Sequence, residues 1–185
     1  MKFTQTKLDG VILCEPQIFT DERGYFAETF RLDLLEKFTQ KQWNFVQDNE
    51  SLSQKGVLRG LHFQLPPFAQ SKLIRVIRGR VLDVAVDIRR NSATFGDFVA
   101  VELSGANHRQ MLLPQGFAHG FLVLEKDTIF AYKVDNYYSK EHDRGILWND
   151  PQIAINWGDF CDLISIILSE KDKIQPRLSE AKELF

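Results

Sequence analysis

Little in this sequence points to a membrane, a disulfide framework or a nucleic-acid surface. It has only two cysteines, Cys14 and Cys161, which form no metal-binding spacing and suit a reducing compartment. No stretch approaches the ~18 consecutive apolar residues of a membrane span, and Met1–Gln5 opens no signal-peptide pattern. The formal net charge of −2 predicts no bulk attraction to nucleic acid or to anionic lipid. The sequence therefore predicts a cytoplasmic protein.

What the chain does contain is typical of a folded globular protein. Apolar residues make up 44% of the sequence, and 15 of the residues are phenylalanine, which is too much hydrophobic surface for a disordered chain. A length of 185 residues fits one ordinary domain with a substantial core. Internal repeats, linkers and low-complexity segments are not visible. We expect a single domain over residues 1–185.

The stretch Gly56–Gln64 is the most informative part of the chain. Val57, Leu61 and Phe63 alternate with smaller or polar residues, as in a β-strand, and His62 falls on the opposite face from these three. Strict alternation would place Arg59 among the apolar residues. Either Gly60 interrupts the pleat or Arg59 faces a ligand cleft. A histidine and an arginine beside a glycine predict a site here, although a hydrogen-bonded core histidine is the commoner arrangement.

Short strand-like runs fill most of the remaining sequence. One of them, Val81–Ile88, has apolar residues at every even position. The others that the pattern predicts are Val11–Cys14, Gly24–Phe30, Lys72–Arg80, Phe98–Leu103, Arg109–Leu113, Phe117–Leu124 and Ile129–Val134. Many short strands separated by glycine and proline indicate an all-β antiparallel sandwich or barrel, most simply a jelly roll.

A few segments depart from the strand pattern. Residues 31–41 have apolar side chains at helical spacing, and a short helix is expected near Ser179–Leu184. The polar run within Phe45–Ser51 usually indicates a turn, but it could equally contact a polar ligand. In the Gly24–Phe30 run, Glu28 shares a face with Phe26 and Phe30. That position is costly for a carboxylate unless it is solvated, paired or in contact with a polar ligand.

The spacing of two histidines resembles the two signatures of cupins, which are small double-stranded β-helix barrels. Gly56 precedes His62 by five intervening residues, and His119 ends the later run Pro114–His119. Metal-binding cupins carry a second histidine two residues after the first and then a glutamate. Here that position is Gln64, a poor ligand for transition metals. We therefore expect no metal, and we expect His108 and His142 to be surface residues.

Without a metal, the groups expected to line such a barrel have their own chemistry. A neutral imidazole, His62, can remove a proton from carbon beside a ketone. The Lys72 ammonium can stabilise the enolate oxygen. The Tyr132 hydroxyl can return a proton to the opposite face, and His119 completes the set. A base and an acid on opposite faces of a planar intermediate would invert a stereocentre without a cofactor.

Over almost its whole length the chain resembles the dTDP-4-dehydrorhamnose 3,5-epimerases of nucleotide-sugar biosynthesis. Several motifs in the same order carry the resemblance: Asp21–Gly24, Phe45–Asn49, Gly56–Gln64, Phe117–Phe121, Tyr132–Lys133 with Tyr137–Ser139, and Leu168–Asp172. The resemblance implies a cupin jelly roll that forms a homodimer, needs no cofactor and acts on a dTDP-4-keto-6-deoxy sugar. It does not settle whether both carbons or only one is inverted.

The resemblance also implies roles for individual residues. His62 corresponds to the base, Asp172 to the carboxylate paired with it, Tyr132 to the general acid and Lys72 to the residue that stabilises the enolate. The residues implied in substrate binding are Arg23, Glu28, Gln47, Asn49, Arg59, His119, Tyr138, Asp143 and Lys171. An arginine suits phosphate oxygens because its guanidinium can donate two parallel hydrogen bonds.

Each of these residues also has an ordinary structural explanation. Asp172 lies in a charged run that would normally be solvated, Tyr132 could be a core aromatic, and Lys72 could be a surface lysine. Tyr137 and Tyr138 could pack within the fold or stack on thymine. Two other functions also fit the sequence, namely a metal-dependent cupin isomerase or oxygenase and a sugar-binding cupin without activity.

Overall fold

Thirteen β-strands and two short α-helices form the framework of a computed structural model, which describes residues 1–185. No helix in it is both long and apolar enough to span a membrane. The strands are β1 Lys2–Gln5, β2 Ile12–Glu15, β3 Ile18–Asp21, β4 Gly24–Ala27, β5 Gln47–Ser53, β6 Leu58–Gln64, β7 Lys72–Arg78, β8 Arg80–Asp87, β9 Phe98–Ser104, β10 Gln110–Leu113, β11 Phe117–Val123, β12 Thr128–Val134 and β13 Asp143–Gly145. The helices are α1 Leu32–Thr39 and α2 Glu170–Lys173.

The strands form two antiparallel sheets and a separate hairpin. The six-stranded sheet has the order β1-β2-β10-β7-β12-β5, and the five-stranded sheet has the order β13-β6-β11-β8-β9. Strands β3 and β4 pair only with each other. This is the predicted all-β jelly roll, with the helices at its periphery, and the prediction of the fold class is confirmed.

The hydrophobic core is divided by the sheets. Between them lies a cluster that includes Ile74 and Phe130 from one sheet and Val81, Ala85 and Phe121 from the other. A second cluster packs the outer face of the five-stranded sheet against the C-terminal part of the chain. A third lies under α1 on the outer face of the six-stranded sheet. Strand β8 is apolar on both faces except at Asp83, because both of its faces are covered.

Several predicted elements differ in the structure. The polar run that indicated a turn is strand β5, and strands β1 and β3 were not predicted. Strand β4 ends at Ala27, so Glu28 and Phe30 do not share a strand face with Phe26. The helix expected near Ser179–Leu184 is wrong, because that segment contains only turns and bends. Helix α2 forms earlier, where Ser169 caps its first turn.

Strand β6 is irregular at the glycine that its sequence singled out. The pairing of β6 with β11 shifts register between His119 and Phe121, opposite Gly60. Gly60 has φ +122°, and a Cβ there would lie 2.6 Å from the His119 carbonyl oxygen, so no other residue fits. The interruption of the pleat is therefore confirmed. It lets Arg59 and His62 line the same cavity, although they are three positions apart in the strand and strict alternation would put them on opposite faces.

Candidate active site

A cavity of about 640 Å³ opens between the two sheets. The five-stranded sheet contributes Arg59, His62 and His119, and the six-stranded sheet contributes Asn49, Lys72 and Tyr132. The chain from Ile167 to Asp172 closes a third side. The four residues predicted to act in catalysis, His62, Lys72, Tyr132 and Asp172, therefore line one cavity. His62 and Tyr132 face it from opposite sheets.

His62 and Asp172 form a hydrogen-bonded pair at the edge of this cavity. The distance from His62 Nε2 to Asp172 Oδ1 is 2.5 Å. The other carboxylate oxygen accepts a hydrogen bond from Ser169 Oγ at 2.7 Å. Burial raises the pKa of Asp172, but hydrogen bonds from His62 and Ser169 outweigh it and leave that pKa below its ordinary value. The carboxylate is thus held as an anion against the imidazole, whose Nδ1 is left without a protein partner.

A short parallel bridge positions the segment that carries Asp172. Ile167 pairs with Val57, accepting a hydrogen bond from Leu58 N at 3.0 Å and donating one to Gly56 O at 2.8 Å. Gly56 has φ +88°, and a Cβ at this position would lie 2.7 Å from the Ser165 carbonyl oxygen. A glycine is therefore needed where the segment crosses the start of β6.

Lys72 and Tyr132 have protonation states that suit the predicted roles. Burial lowers the pKa of Lys72 to about 8, against the opposing effect of Asp143 and Asp83. Burial raises the pKa of Tyr132, with Asp143 acting in the same direction and Arg59 opposing it. The phenol therefore keeps its proton at neutral pH, whereas the ammonium is poised close to its titration.

His119 is buried and paired with a residue that sequence reasoning missed. Its Nε2 lies 2.8 Å from Asp83 Oδ1, and the Asp83 side chain is fully buried. Burial lowers the pKa of His119 despite the nearby carboxylate. The sequence could have indicated Asp83, because it is a charged residue on the same face of β8 as the buried Val81 and Ala85. Ser169 was also missed, although a serine three residues before an aspartate is a common helix cap.

Aromatic rings form part of the cavity wall beside His119. The rings of Phe121 and Phe130 come from opposite sheets, and their centroids lie 3.9 Å apart at an interplanar angle of 12°. Phe130 also stacks on the His119 ring, 6.1 Å between centroids. Such a wall lowers the local dielectric, which strengthens the electrostatic interactions among the polar groups facing it.

The predicted substrate-binding residues on β5 and β6 lie in or beside the cavity. Asn49 lines it, and Gln47 Nε2 donates a hydrogen bond to Asn49 Oδ1 at 2.7 Å. Arg59 lines it as well, and its guanidinium lies 3.2 Å from Ser53 Oγ. Strand β5 thus directs amides inward, which explains why its sequence lacks an apolar face.

Three further predicted residues contact one another away from the cavity lining. The Tyr138 hydroxyl donates to Asp143 Oδ2 at 3.2 Å, and Lys171 forms an ion pair with the same oxygen. Lys171 is the neighbour of Asp172, which lines the cavity, so this group lies beside it. It joins β13 to helix α2.

Arg23 and Glu28 are not brought to the cavity within one chain. Arg23 pairs with Asp21 at 2.5 Å in the β3–β4 hairpin, and Glu28 pairs with Arg31 at 3.2 Å. Both side chains are exposed. The hairpin also exposes Phe19, Tyr25 and Phe26, of which Phe26 is 66% accessible.

Gln64 and the two other histidines, His108 and His142, have structural contacts outside the cavity lining. Gln64 is buried and bonds the backbone of Phe68, Tyr137 and Ser139. The His108 ring packs against Tyr25 at a tilt of 59°, and His142 bonds Ser139, so both are partly buried outside the cavity rather than free on the surface. No three His, Cys, Asp or Glu side chains converge in a group that could hold a metal ion.

Comparisons with known proteins identify the same family along the chain. The family described as dTDP-4-dehydrorhamnose 3,5-epimerase matches residues 5–180. The protein of that description from Sinorhizobium fredii is 51% identical over 189 residues, covering 100% of this chain and 93% of its own length. The crystal structure of the Elizabethkingia anophelis enzyme superposes with a TM-score of 0.92 at 45% identity, covering 97% of each chain.

One of the similar structures contains a bound sugar nucleotide. The epimerase from Legionella pneumophila, in complex with dTDP-4-keto-L-rhamnose, superposes with a TM-score of 0.91 at 47% identity. The match covers 96% of this chain and 93% of that one. The likeness thus extends over the whole barrel and includes the C-terminal segment that carries Asp172.

Proposed function

The chain belongs to the dTDP-4-dehydrorhamnose 3,5-epimerase family, and from this premise we propose that it converts dTDP-4-dehydro-6-deoxy-D-glucose to dTDP-4-dehydro-L-rhamnose. The reaction inverts the carbons on either side of the 4-keto group and serves the synthesis of dTDP-rhamnose. The observation that carries the proposal is the His62–Asp172 pair at 2.5 Å, facing Tyr132 and Lys72 across one cavity. Both cysteines are free thiols, which supports a cytoplasmic location as part of the proposal.

His62 acts as the base. The Asp172 carboxylate is hydrogen-bonded to His62 Nε2, which leaves Nδ1 to accept the proton from carbon 3 or carbon 5. When the C–H bond breaks, its electron pair forms a double bond to carbon 4, and the π electrons of the carbonyl group move onto its oxygen. The product is an enolate. The imidazole becomes cationic, and the buried Asp172 carboxylate stabilises that charge as in other histidine–carboxylate pairs.

Lys72 stabilises the enolate and Tyr132 completes the inversion. The ammonium offers a fixed positive charge to the developing oxygen anion within a partly apolar wall. The Tyr132 hydroxyl lies on the opposite sheet from His62, so it can donate its proton to the other face of the planar carbon. Solvent restores the tyrosine proton and takes the one held by His62.

The polar residues around the cavity are proposed to bind the nucleotide and sugar. Arg59 suits the pyrophosphate, and the amides of Gln47 and Asn49 offer donors and acceptors to the sugar and base. Tyr138, Asp143 and Lys171 form a rim group whose mutual contacts can be exchanged for contacts with the substrate. His119 lies deeper, where it borders the sugar ring.

Homodimerisation explains why Arg23 and Glu28 lie away from the cavity of their own chain. They belong to a segment that exposes Phe19, Tyr25 and Phe26, an apolar surface unusual for a free hairpin. We propose that this hairpin reaches the cavity of a second copy, where Arg23 binds phosphate oxygens. Each active site is then formed by two chains.

Hybrid dimers test this arrangement directly. One chain carries His62→Asn and keeps its hairpin, and the other carries Arg23→Ala and keeps its base. If hairpins reach the partner cavity, each hybrid has one fully intact site and gains activity at low substrate over either parent dimer. If each hairpin serves its own cavity, both sites in the hybrid are defective and no activity is recovered.

Proton exchange with solvent tests the reaction itself. Incubation with the dTDP-4-keto sugar in D₂O and a chelator should place deuterium at both carbon 3 and carbon 5, which mass spectrometry detects. Exchange at one carbon would indicate a single-carbon epimerase. Loss of exchange with the chelator would indicate a metal-dependent enzyme, and binding without exchange would indicate a sugar-binding protein.

A further inference from the structure

Gln64 holds the loop that carries Tyr138 with both ends of its side-chain amide. Its Oε1 accepts a hydrogen bond from Ser139 N at 2.6 Å, and its Nε2 donates to Tyr137 O at 3.2 Å. Nε2 also donates to Phe68 O at 2.8 Å. The residue is only 5% accessible, so water does not compete for these bonds. Two of the three bonds therefore go to the residues immediately before and after Tyr138.

The chemistry of this contact requires an amide. One backbone N–H needs an acceptor and two carbonyl oxygens need donors, and a glutamine side chain supplies both. An aliphatic side chain would leave all three backbone groups without this partner, which is costly where water is excluded. Gln64 does not line the cavity, although alternation along β6 puts it on the same face as His62. Its side chain serves the 136–142 loop instead.

The backbone of this loop is held, whereas the Tyr138 ring is 59% accessible. Its hydroxyl bonds Asp143, which forms an ion pair with Lys171 beside the segment that closes the cavity. An exposed aromatic face beside a nucleotide site can stack on a base. Holding the loop in place before binding reduces the entropy that is lost when the ligand is bound.

Other side chains anchor the 136–142 loop nearer its ends. Gln70 Nε2 donates to Asn136 O at 2.7 Å, and His142 Nδ1 lies 2.8 Å from Ser139 Oγ. Neither of these anchors bonds the backbone on both sides of Tyr138.

We propose that Gln64 is a positioning residue for nucleotide binding, which fixes the backbone on both sides of Tyr138 so that its ring is ready to contact the substrate. At the position where metal-binding cupins carry their second histidine, this chain thus has an anchor for a binding loop. The inference rests on the proposed function, because it takes Tyr138 as a substrate-binding residue.

A double-mutant cycle in dTDP binding tests whether Gln64 acts through Tyr138. Gln64→Met has a similar shape but lacks the three hydrogen bonds. Calorimetric titration with dTDP should give a dissociation constant about tenfold above wild type for Gln64→Met and for Tyr138→Ala, as expected for the loss of one base–aromatic stack. In the Tyr138→Ala background, Gln64→Met should add almost nothing. Additive effects, or no effect of either single substitution, would overturn the proposal.

A matched control uses a glutamine outside the loop and the cavity lining. Gln54 is exposed and donates to Asp127 Oδ1 at 3.0 Å. Gln54→Met should bind dTDP as wild type does. A tenfold loss of affinity in this control would mean that the effect of Gln64→Met is not specific, and it would overturn the proposal.

Steady-state kinetics separates positioning from a general loss of structure. His62 and Tyr132 are unchanged in Gln64→Met, so KM should rise about tenfold while kcat stays within about twofold of wild type. A damaged fold would instead lower the active fraction, and hence kcat, at an unchanged KM. A fall in kcat alone would overturn the proposal.

Amide exchange in wild-type protein covers the case in which Gln64→Met does not fold. The Ser139 N–H donates to Gln64, whereas the neighbouring Lys140 N–H has no hydrogen bond. In NMR, the Ser139 amide should exchange with solvent at least about tenfold more slowly than that of Lys140, after correction for their intrinsic rates. Equal protection of the two amides would overturn the proposal.

These measurements are separable from the test of the proposed function. The dTDP titrations and the amide exchange need no turnover. If wild-type protein exchanges no substrate protons, the proposed function fails. If wild type exchanges them and the double-mutant cycle is additive, the role of Gln64 fails.

Discussion

His62 Nε2 and Asp172 Oδ1 lie 2.5 Å apart although 110 residues separate them in the chain. Asp172 reaches His62 through the Val57–Ile167 bridge and the cap of helix α2. The proposed base thus lies on barrel strand β6, and the carboxylate paired with it lies on the C-terminal segment. Substitutions of His62 and substitutions in the segment that carries Asp172 should therefore affect proton abstraction in distinguishable ways.

Replacing His62 by Asn should remove proton abstraction while sparing nucleotide binding. Loss of a general base lowers the rate by about 10²–10⁴-fold, so exchange at both carbons should fall by at least that factor. Calorimetric titration with dTDP should give a dissociation constant close to that of wild type. His108→Asn, which lies outside the cavity, serves as the control. Retained exchange in His62→Asn would remove this residue from the mechanism.

Tyr132→Phe should separate the two halves of the reaction. Deprotonation by His62 does not need the phenol, so exchange of the substrate protons should persist while epimerised product falls sharply. Comparing deuterium incorporation with product formation by NMR measures the two rates in one sample. An equal fall in both would contradict the role of Tyr132 as the acid.

Ser169→Ala should weaken the base without removing it. The variant leaves Asp172 Oδ2 without its 2.7 Å hydrogen bond from the serine. A hydrogen bond to a charged group contributes about 1.5–3 kcal/mol, so activity should fall by roughly 10–100-fold. The effect should appear in kcat and leave KM nearly unchanged. Ser165→Ala removes an exposed hydroxyl four residues away that bonds only the Asp162 carbonyl. That control should behave as wild type, and an equal loss in both variants would contradict the assignment.

Gly56→Ala should displace the segment that carries Asp172. The new Cβ would lie 2.7 Å from the Ser165 carbonyl oxygen, and the residue has φ +88°. Backbone strain of this kind costs about 1–3 kcal/mol. Gly96→Ala is the control, because Gly96 has a similar φ of +84° but no contact closer than 3.4 Å. Both should lower the free energy of unfolding in urea, whereas only Gly56→Ala should also reduce proton exchange.

Stability should decline in acid partly through Asp87. Burial raises its pKa, but hydrogen bonds from Arg89, Ser92 and Thr94 prevail and lower the pKa from its ordinary value of 3.8 to about 2. A carboxyl whose pKa is depressed by folding contributes stability above its unfolded pKa and loses it as pH falls through the folded pKa. Urea unfolding should show this loss between about pH 4 and pH 2.

Asp87→Asn tests the source of that acid sensitivity. The variant should be less stable at neutral pH by roughly 1–3 kcal/mol and should depend less on pH across the same range. Equal pH slopes for the variant and wild type would assign the acid sensitivity to other carboxyl groups.

The sequence predicted strands most reliably where both faces are buried. Strand β8 has Leu82, Val84 and Val86 in one core cluster and Val81 and Ala85 in another, so only Asp83 interrupts its apolar interior. Strand β5 was missed as a strand for the opposite reason. Asn49, Glu50 and Ser51 of this strand line the cavity rather than a core, and Gln47 bonds Asn49, so the strand lacks hydrophobic alternation.

The site itself was predictable only in part from residue patterns. His62 stood out because a histidine beside Arg59 and Gly60 is unusual in a strand. Asp172 was assigned through resemblance alone, since nothing local distinguishes it from the solvated charges around it, yet it is 2% accessible. Asp83 was overlooked because its meaning depends on the pairing with His119, a contact between strands that are distant in sequence.

The bridge between Val57 and Ile167 fastens the segment that carries Asp172 to the barrel strand that carries His62. The walls that would hold the sugar nucleotide are barrel strands, whereas the carboxylate that activates the imidazole arrives on a peptide fastened by two backbone hydrogen bonds. Replacing the segment from Ile167 to Asp172 should therefore change or abolish proton transfer while leaving the barrel strands as they are. The same barrel would then serve as a receptor for the nucleotide sugar instead of a catalyst.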